Sequence, residues 1–261
     1  MIRFALPEWT YPSKPIEDFI PDGFAGARNT PIFDELISAI AAIRAPALKF
    51  FDFKSSDWSL ANTEFVHAFN MVSAWVTLRV GYACGIRAIK SPLPWARDIH
   101  PVFLVVTWRD KDNRSGYHTR ILWVPKDVRV ELASYQALLL QICRKLGLPA
   151  KWRRIPGFFI DVQRQKPELI QPRSIVEHLE AIYPWPANSH RRTARQWLRG
   201  RVSPSIAYIF MGHWSSEQEP WRLCAGRSLR SICKTLESQV PELLRELGLH
   251  PLPWEGLKHG N

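Results

Sequence analysis

Arg87, Lys111, Arg191 and His213 are the residues of this 261-residue chain whose types and order could do chemistry on a phosphodiester. Arg presents a planar fork that can donate two hydrogen bonds to one phosphate. Lys brings a flexible ammonium to a leaving oxygen, and His can bind the phosphate or move a proton. Arg87 follows a long apolar stretch, in Cys84-Gly85-Ile86-Arg87-Ala88-Ile89-Lys90, and Lys111 lies in the polar turn Arg109-Asp110-Lys111-Asp112. Arg191 opens the basic run Asn188-Ser189-His190-Arg191-Arg192, and His213 sits in Met211-Gly212-His213-Trp214. Taken singly, a loop Arg or Lys is a solvated side chain and a lone His a structural one. Their weight comes from occurring together, in order, each beside the end of an element. A covalent route also needs a nucleophile. The six Tyr stand at 11, 82, 117, 135, 183 and 208, so none follows His213.

Positioning these groups falls to a helical framework. Residues 1–30 are rich in Pro, Gly and aromatics without a clear period, and read as an arm or irregular lead-in. Pro31 to Arg44 has apolar residues at helical spacing, with Pro31 suited to a first turn. Ser59 to Gly85 is a second helix, apolar on nearly every face and therefore central in a core. Val102 to Trp108 and Tyr117 to Val124 read as the two strands of a hairpin around the polar loop 109–116. Val128 to Leu146 is helical, with Gly147 as C-cap. Lys151 to Arg173 reads as a basic loop, a short apolar run and several Pro. Ser174 to Tyr183 is read as a helix capped by Ser174 with Glu177 three residues on. After Pro184-Trp185-Pro186, Arg191 to Arg201 forms a basic helix, and Ser203-Pro204 starts another that Gly212 stops. Tyr208, in an apolar stretch of that helix, is expected to face the core. Arg227 to Leu247 is a final amphipathic helix. The expectation is a mostly α domain with a small antiparallel β-sheet, of α+β class.

Net charge is +11, from 35 Lys plus Arg against 24 Asp plus Glu. The pI of about 9.8 is the electrostatic footprint of a nucleic-acid binder. The four Cys, at 84, 143, 224 and 233, form no CxxC pair, so neither a zinc site nor a disulfide framework is expected. Nothing at the start resembles a signal peptide, and no run offers the ~18 apolar residues of a membrane span. A cytoplasmic protein without metal or cofactor is expected.

The ordered set resembles the catalytic domain of the tyrosine recombinases, the phage-integrase family, over roughly residues 60–250. The first box of that family is a Gly-x-Arg after a helix, here Gly85-Ile86-Arg87. A hairpin Lys follows, here Lys111. The second box, His-x-x-Arg, reads Asn188-Ser189-His190-Arg191, and the Leu-Gly-His motif reads Met211-Gly212-His213-Trp214. The stretch Asn188 to Trp214 and the tail Glu217-Gln218-Glu219-Pro220-Trp221 are similar to a bacterial integrase subgroup. The resemblance implies that Arg87 and Arg191 would clamp the scissile phosphate, that Lys111 would act as general acid, and that His213 would assist at the phosphate. It also implies a nucleophilic Tyr forming a 3′-phosphotyrosyl link.

The chain departs from that pattern. Asn188 stands at the second-box His position, unless His190 takes its place, and Lys90 stands where an acidic residue often follows the first Arg. Ile232 occupies the expected Tyr position, flanked by Ser231 and Cys233. The matched region, 58–250, is preceded by an arm and helix over 1–57, shorter than the family's usual core-binding domain, and followed by a tail over 251–261. The reading is therefore a protein that binds double-stranded DNA, with Arg120, Arg192, Arg195 and Arg199 as supporting contacts, and does not cleave it alone. It would serve as an accessory or regulatory partner of another recombinase subunit, or as a homo-oligomer. Two alternatives stay open. One is an active recombinase whose Tyr comes in trans or from Tyr208 or Tyr183. The other is an interaction module of a mobile-element or defence system that has lost the DNA.

Overall fold

The computed structural model describes residues 31–87, 92–109, 119–212 and 228–255. It is mostly helical, with two small antiparallel sheets. Among the described residues no helix is long and apolar enough to cross a membrane.

The centre is α2, Thr63–Cys84. Asn62 caps it by accepting the Phe65 N–H at 3.2 Å, and Gly85 ends it in the left-handed region at φ 58°. From Phe65 to Cys84 every residue but His67 is buried, because neighbours cover α2 on all sides. α1, Phe33–Lys49, packs along it. α1 runs past the expected end at Arg44 and through Pro46, carrying Ala47 into full burial. Rings of Phe50, Phe65, Phe69 and Phe158 form a continuous aromatic row, with centroid steps of 5.9, 6.5 and 5.5 Å.

The first sheet pairs β1, Val105–Arg109, with β2, Thr119–Trp123, in the register Val105↔Trp123 to Arg109↔Thr119. The expected strand start at Val102 is displaced by three residues. The His100 Nδ1 accepts the N–H groups of Val102 and Phe103 at 3.2 and 3.1 Å, and Leu104 adopts φ 54°, so 101–104 turn instead of extending. Next comes α3, Lys126–Lys145, closed by Gly147 at φ 62°.

A second hairpin, β3 (Phe158–Asp161) with β4 (Lys166–Leu169), occupies what reads in the sequence as irregular chain. It is fastened to α2 rather than to another strand. Asn70 donates to the Ile160 carbonyl and accepts from its N–H, both at 2.8 Å, as a strand neighbour would. Ser73 donates to the Phe158 carbonyl at 3.0 Å and accepts from the Tyr135 hydroxyl at 2.9 Å. α4 spans Pro172–Leu179 and so starts before the expected Ser174. Pro172 opens it, and Ser174 reaches back as acceptor of the Gln171 N–H at 2.9 Å.

The remaining helices are α5 (Ser189–Leu198), α6 (Pro204–Met211) and α7 (Leu229–Glu246). The segment after α7 is clasped into the core. Buried Arg79 pairs with Glu131 and Asp127 and donates to the Leu249 carbonyl at 3.0 Å. The second Glu131 oxygen accepts from the Leu252 N–H at 2.9 Å and the Trp254 indole at 3.3 Å. Such a pair is held by geometry, since burial strips both charges of water.

Candidate functional site

Three element ends meet beside α2, and each carries or adjoins one of the sequence-expected groups. The C-terminus of α2 leads into Gly85-Ile86-Arg87. A Cβ placed on Gly85 would lie 2.8 Å from the Phe210 ring and 2.9 Å from the Phe210 carbonyl oxygen, so the ends of α2 and α6 approach as only glycine permits. The start of α5 inserts between them. His190 lays its ring on Gly81 and donates from Nε2 to the Ile86 carbonyl at 2.6 Å. Arg191, 4% exposed, donates from its guanidinium to the Met211 carbonyl at the C-terminus of α6, where the helix dipole favours a cation. Gly212 caps α6 at φ 62°.

Ile86, just before Arg87, and Met211, two residues before His213, are thus held at the start of α5 by direct bonds from its adjacent residues His190 and Arg191. Arg87 itself is partly exposed. Lys111 and His213 lie outside the described residues, as does the side chain of Arg120, whose backbone pairs with Trp108 in the sheet. Asn188 is exposed at the N-cap of α5. His190 does not swing into its place: it is locked inside, and burial pushes its pKa from 6.5 down to about 4, so it is a neutral strut. Its pairing with Ile86 fixes Gly85-Ile86-Arg87 against the start of α5, a role the motif spacing does not announce.

Outside this junction, Arg192 and Arg195 are exposed on α5 and Arg199 at its C-cap. The Arg195 guanidinium stands 5.6 Å from the Tyr208 ring centroid, and Arg201 lies 4.2 Å over Trp197. Tyr208 is 47% exposed, against the expectation that it faces the core. α6 buries Ile206, Phe210 and Met211, and Tyr208, two residues from Ile206 and from Phe210, points to the opposite side. No Asp or Glu occurs between Glu180 and Glu217, so α5 and α6 carry no carboxylate of their own.

The other described tyrosines are enclosed. Tyr183 shares its hydroxyl with Tyr82 at 3.1 Å and Ser189 at 2.9 Å, and burial pushes its pKa up. Tyr82 and Tyr135 are raised by burial in the same way. Tyr11 and Tyr117 lie outside the described residues. On α7, Ser228 caps the helix by accepting the Ser231 N–H at 3.2 Å. Ile232 is 1% exposed and lines a cavity of about 20 Å³ with Cys84, Leu122, Phe210 and Leu236. Cys233 lines it too, and burial raises its thiol pKa, which disfavours the thiolate. The position expected of a nucleophile therefore abuts the ends of α2 and α6 and presents a methyl group. Trp197 donates to Glu246 at 2.9 Å and ties α5 to α7.

Among the described residues no group of three or more His, Cys, Asp or Glu could hold a metal ion. No protein-family model, curated protein or solved structure matches this chain.

Proposed function

We propose that the chain binds the phosphate backbone of double-stranded DNA through α5 and the junction it organises. On this reading it is a tyrosine-recombinase-like protein that does not cleave DNA alone. The observation that carries the reading is the junction: Gly85 packed on Phe210, His190 bonded to Ile86, and Arg191 bonded to Met211. Residues far apart in the chain supply a phosphate-handling set in the order and element contexts of that family, and two of its segments, Ile86-Arg87 and the C-terminus of α6, are bonded to adjacent residues of α5. The α5–α6 surface adds Arg192, Arg195 and Arg199 with no carboxylate in that stretch of chain. Ile232 removes the hydroxyl that a covalent step needs. An accessory or regulatory role beside a cleaving subunit follows from binding without cutting.

The test uses the purified full chain and a nicked duplex that traps covalent intermediates. Expected are a gel shift whose log affinity falls with log salt by at least about 0.9 per phosphate contacted, and no covalent adduct. An adduct that disappears in Tyr208→Phe would establish self-sufficient cleavage from α6 and overturn the reading. Absence of any salt-dependent shift would remove nucleic acid from the account.

A further inference from the structure

The structure holds a second concentration of cations, away from α5, on the turn between α3 and β3. Arg144 and Lys145 end α3, Gly147 reverses the chain, and a 3₁₀ turn over Ala150–Arg154 presents Lys151, Arg153 and Arg154. All five are exposed. Trp152, buried between them, anchors the turn with its ring 5.6 Å from Phe158, and the Lys151 ammonium lies 5.5 Å from the Trp152 ring centroid. The α3 dipole accounts for Arg144 and Lys145. It does not account for the three cations after the reversal.

The turn gathers its cations without local neutralisation. Exposed Arg97, Arg164, Arg173 and Arg245 each sit beside a carboxylate one to four residues away. None of the five cations of this turn forms an ion pair with a described residue, and the sequence has no Asp or Glu from 132 to 160. Five like charges repel one another, and a polyanion relieves that repulsion.

We infer that Lys151, Arg153 and Arg154, with Arg144 and Lys145 behind them, form a second contact for the backbone of the same DNA. The inference rests on the proposed DNA binding and specifies its extent. The turn attaches to α2 through Phe158 at Phe69, and α5 attaches through His190 at Gly81. Twelve residues of helix separate those points, about 18 Å at 1.5 Å per residue. That is about five base pairs of duplex. A single duplex thus has the length to touch both surfaces.

The experiment is fluorescence anisotropy of a duplex of about 20 base pairs across a salt series, for the wild-type chain, K151Q/R153Q/R154Q and R195Q/R199Q. The side chains changed are exposed, so thermal unfolding should match wild type and serves as the control for folding. Expected for K151Q/R153Q/R154Q is a salt slope smaller by roughly 2–3 and an affinity roughly tenfold or more weaker at about 100 mM salt. R195Q/R199Q should lose slope independently, by roughly 2. If R195Q/R199Q weakens binding and K151Q/R153Q/R154Q leaves slope and affinity unchanged, the second contact is refuted and the proposed function stands. If the wild-type chain shows no salt-dependent binding, both fall.

Discussion

Replacing Gly85 by Ala tests the junction most directly, because the protein supplies its own control. Gly85 and Gly147 both cap helices in the left-handed region, at φ 58° and 62°. An Ala at either position is strained by about 1–2 kcal/mol, and the loss of unfolded-chain freedom is common to both. They differ in what the new methyl meets. At Gly147 nothing lies within 4 Å, whereas at Gly85 the methyl falls 2.8 Å from the Phe210 ring and 2.9 Å from its carbonyl. A ring can turn aside, but a helix-terminal carbonyl moves only with α6. Overpacking of that kind adds about 1–3 kcal/mol, so Gly85→Ala should be roughly 2 kcal/mol less stable than Gly147→Ala. For a chain of this size that is roughly 4–8 °C in Tm. Urea denaturation of both variants gives the difference, with m-values checking that the same surface unfolds. Below its Tm, Gly85→Ala should also bind DNA more weakly, since displacing α6 moves the Met211 carbonyl away from Arg191, whereas Gly147→Ala should bind as wild type. Equal stabilities of the two variants would show that α2 and α6 do not meet at Gly85, and the convergence of the boxes would go with them.

Other substitutions probe the supports of that junction. His190 has its folded pKa lowered to about 4 from 6.5, so its contribution is complete above pH 6.5 and is lost as pH falls toward 4. Stability should drop by about 2 kcal/mol between pH 7 and pH 5 on this account, and His190→Gln should flatten that part of the urea-derived pH profile. Glu131→Gln leaves buried Arg79 only the partly exposed Asp127 as a counter-charge and should destabilise by up to about 3 kcal/mol, read by urea denaturation. Ile232→Tyr must force a ring into a cavity of about 20 Å³; it should cost about 1–3 kcal/mol and yield no covalent adduct on nicked DNA, and an adduct would show that only the hydroxyl is missing.

Element ends marked by stereochemistry were legible in the sequence. Gly85, Gly147 and Gly212 terminate helices where expected, and Ser203-Pro204 begins one, because left-handed caps and N-terminal prolines are local demands. The β3–β4 hairpin was not legible. Its turn places Gln165 at φ 50°, where a glycine would have signalled the reversal, and Pro167 interrupts β4. Its anchor is Asn70, ninety residues away on a helix, so no local pattern reports it. The late start of β1 has the same origin: Leu104 takes a left-handed conformation held by His100 rather than by its own residue type.

For the site, order was visible and orientation was not. His190 and Arg191 are consecutive in the sequence, yet on α5 both turn inward and do opposite work: one is a neutral strut, the other keeps a charge at the end of α6. Tyr208 looks apolar by its neighbours Ala207 and Ile209. Its position follows only from the Ile206–Phe210 spacing, which commits the inner face of α6 and leaves position 208 outside beneath Arg195. Ile232 shows the converse. The apolar period of α7 already requires an inward residue there, and the structure adds what it faces: Cys84 and Phe210, near the ends of α2 and α6. The packing that assembles Arg87, Arg191 and the Met211 carbonyl therefore runs through the position where a nucleophile is missing. On the proposed reading, a hydroxyl could be lost from position 232 without disturbing that packing, and phosphate binding would then not depend on cleavage.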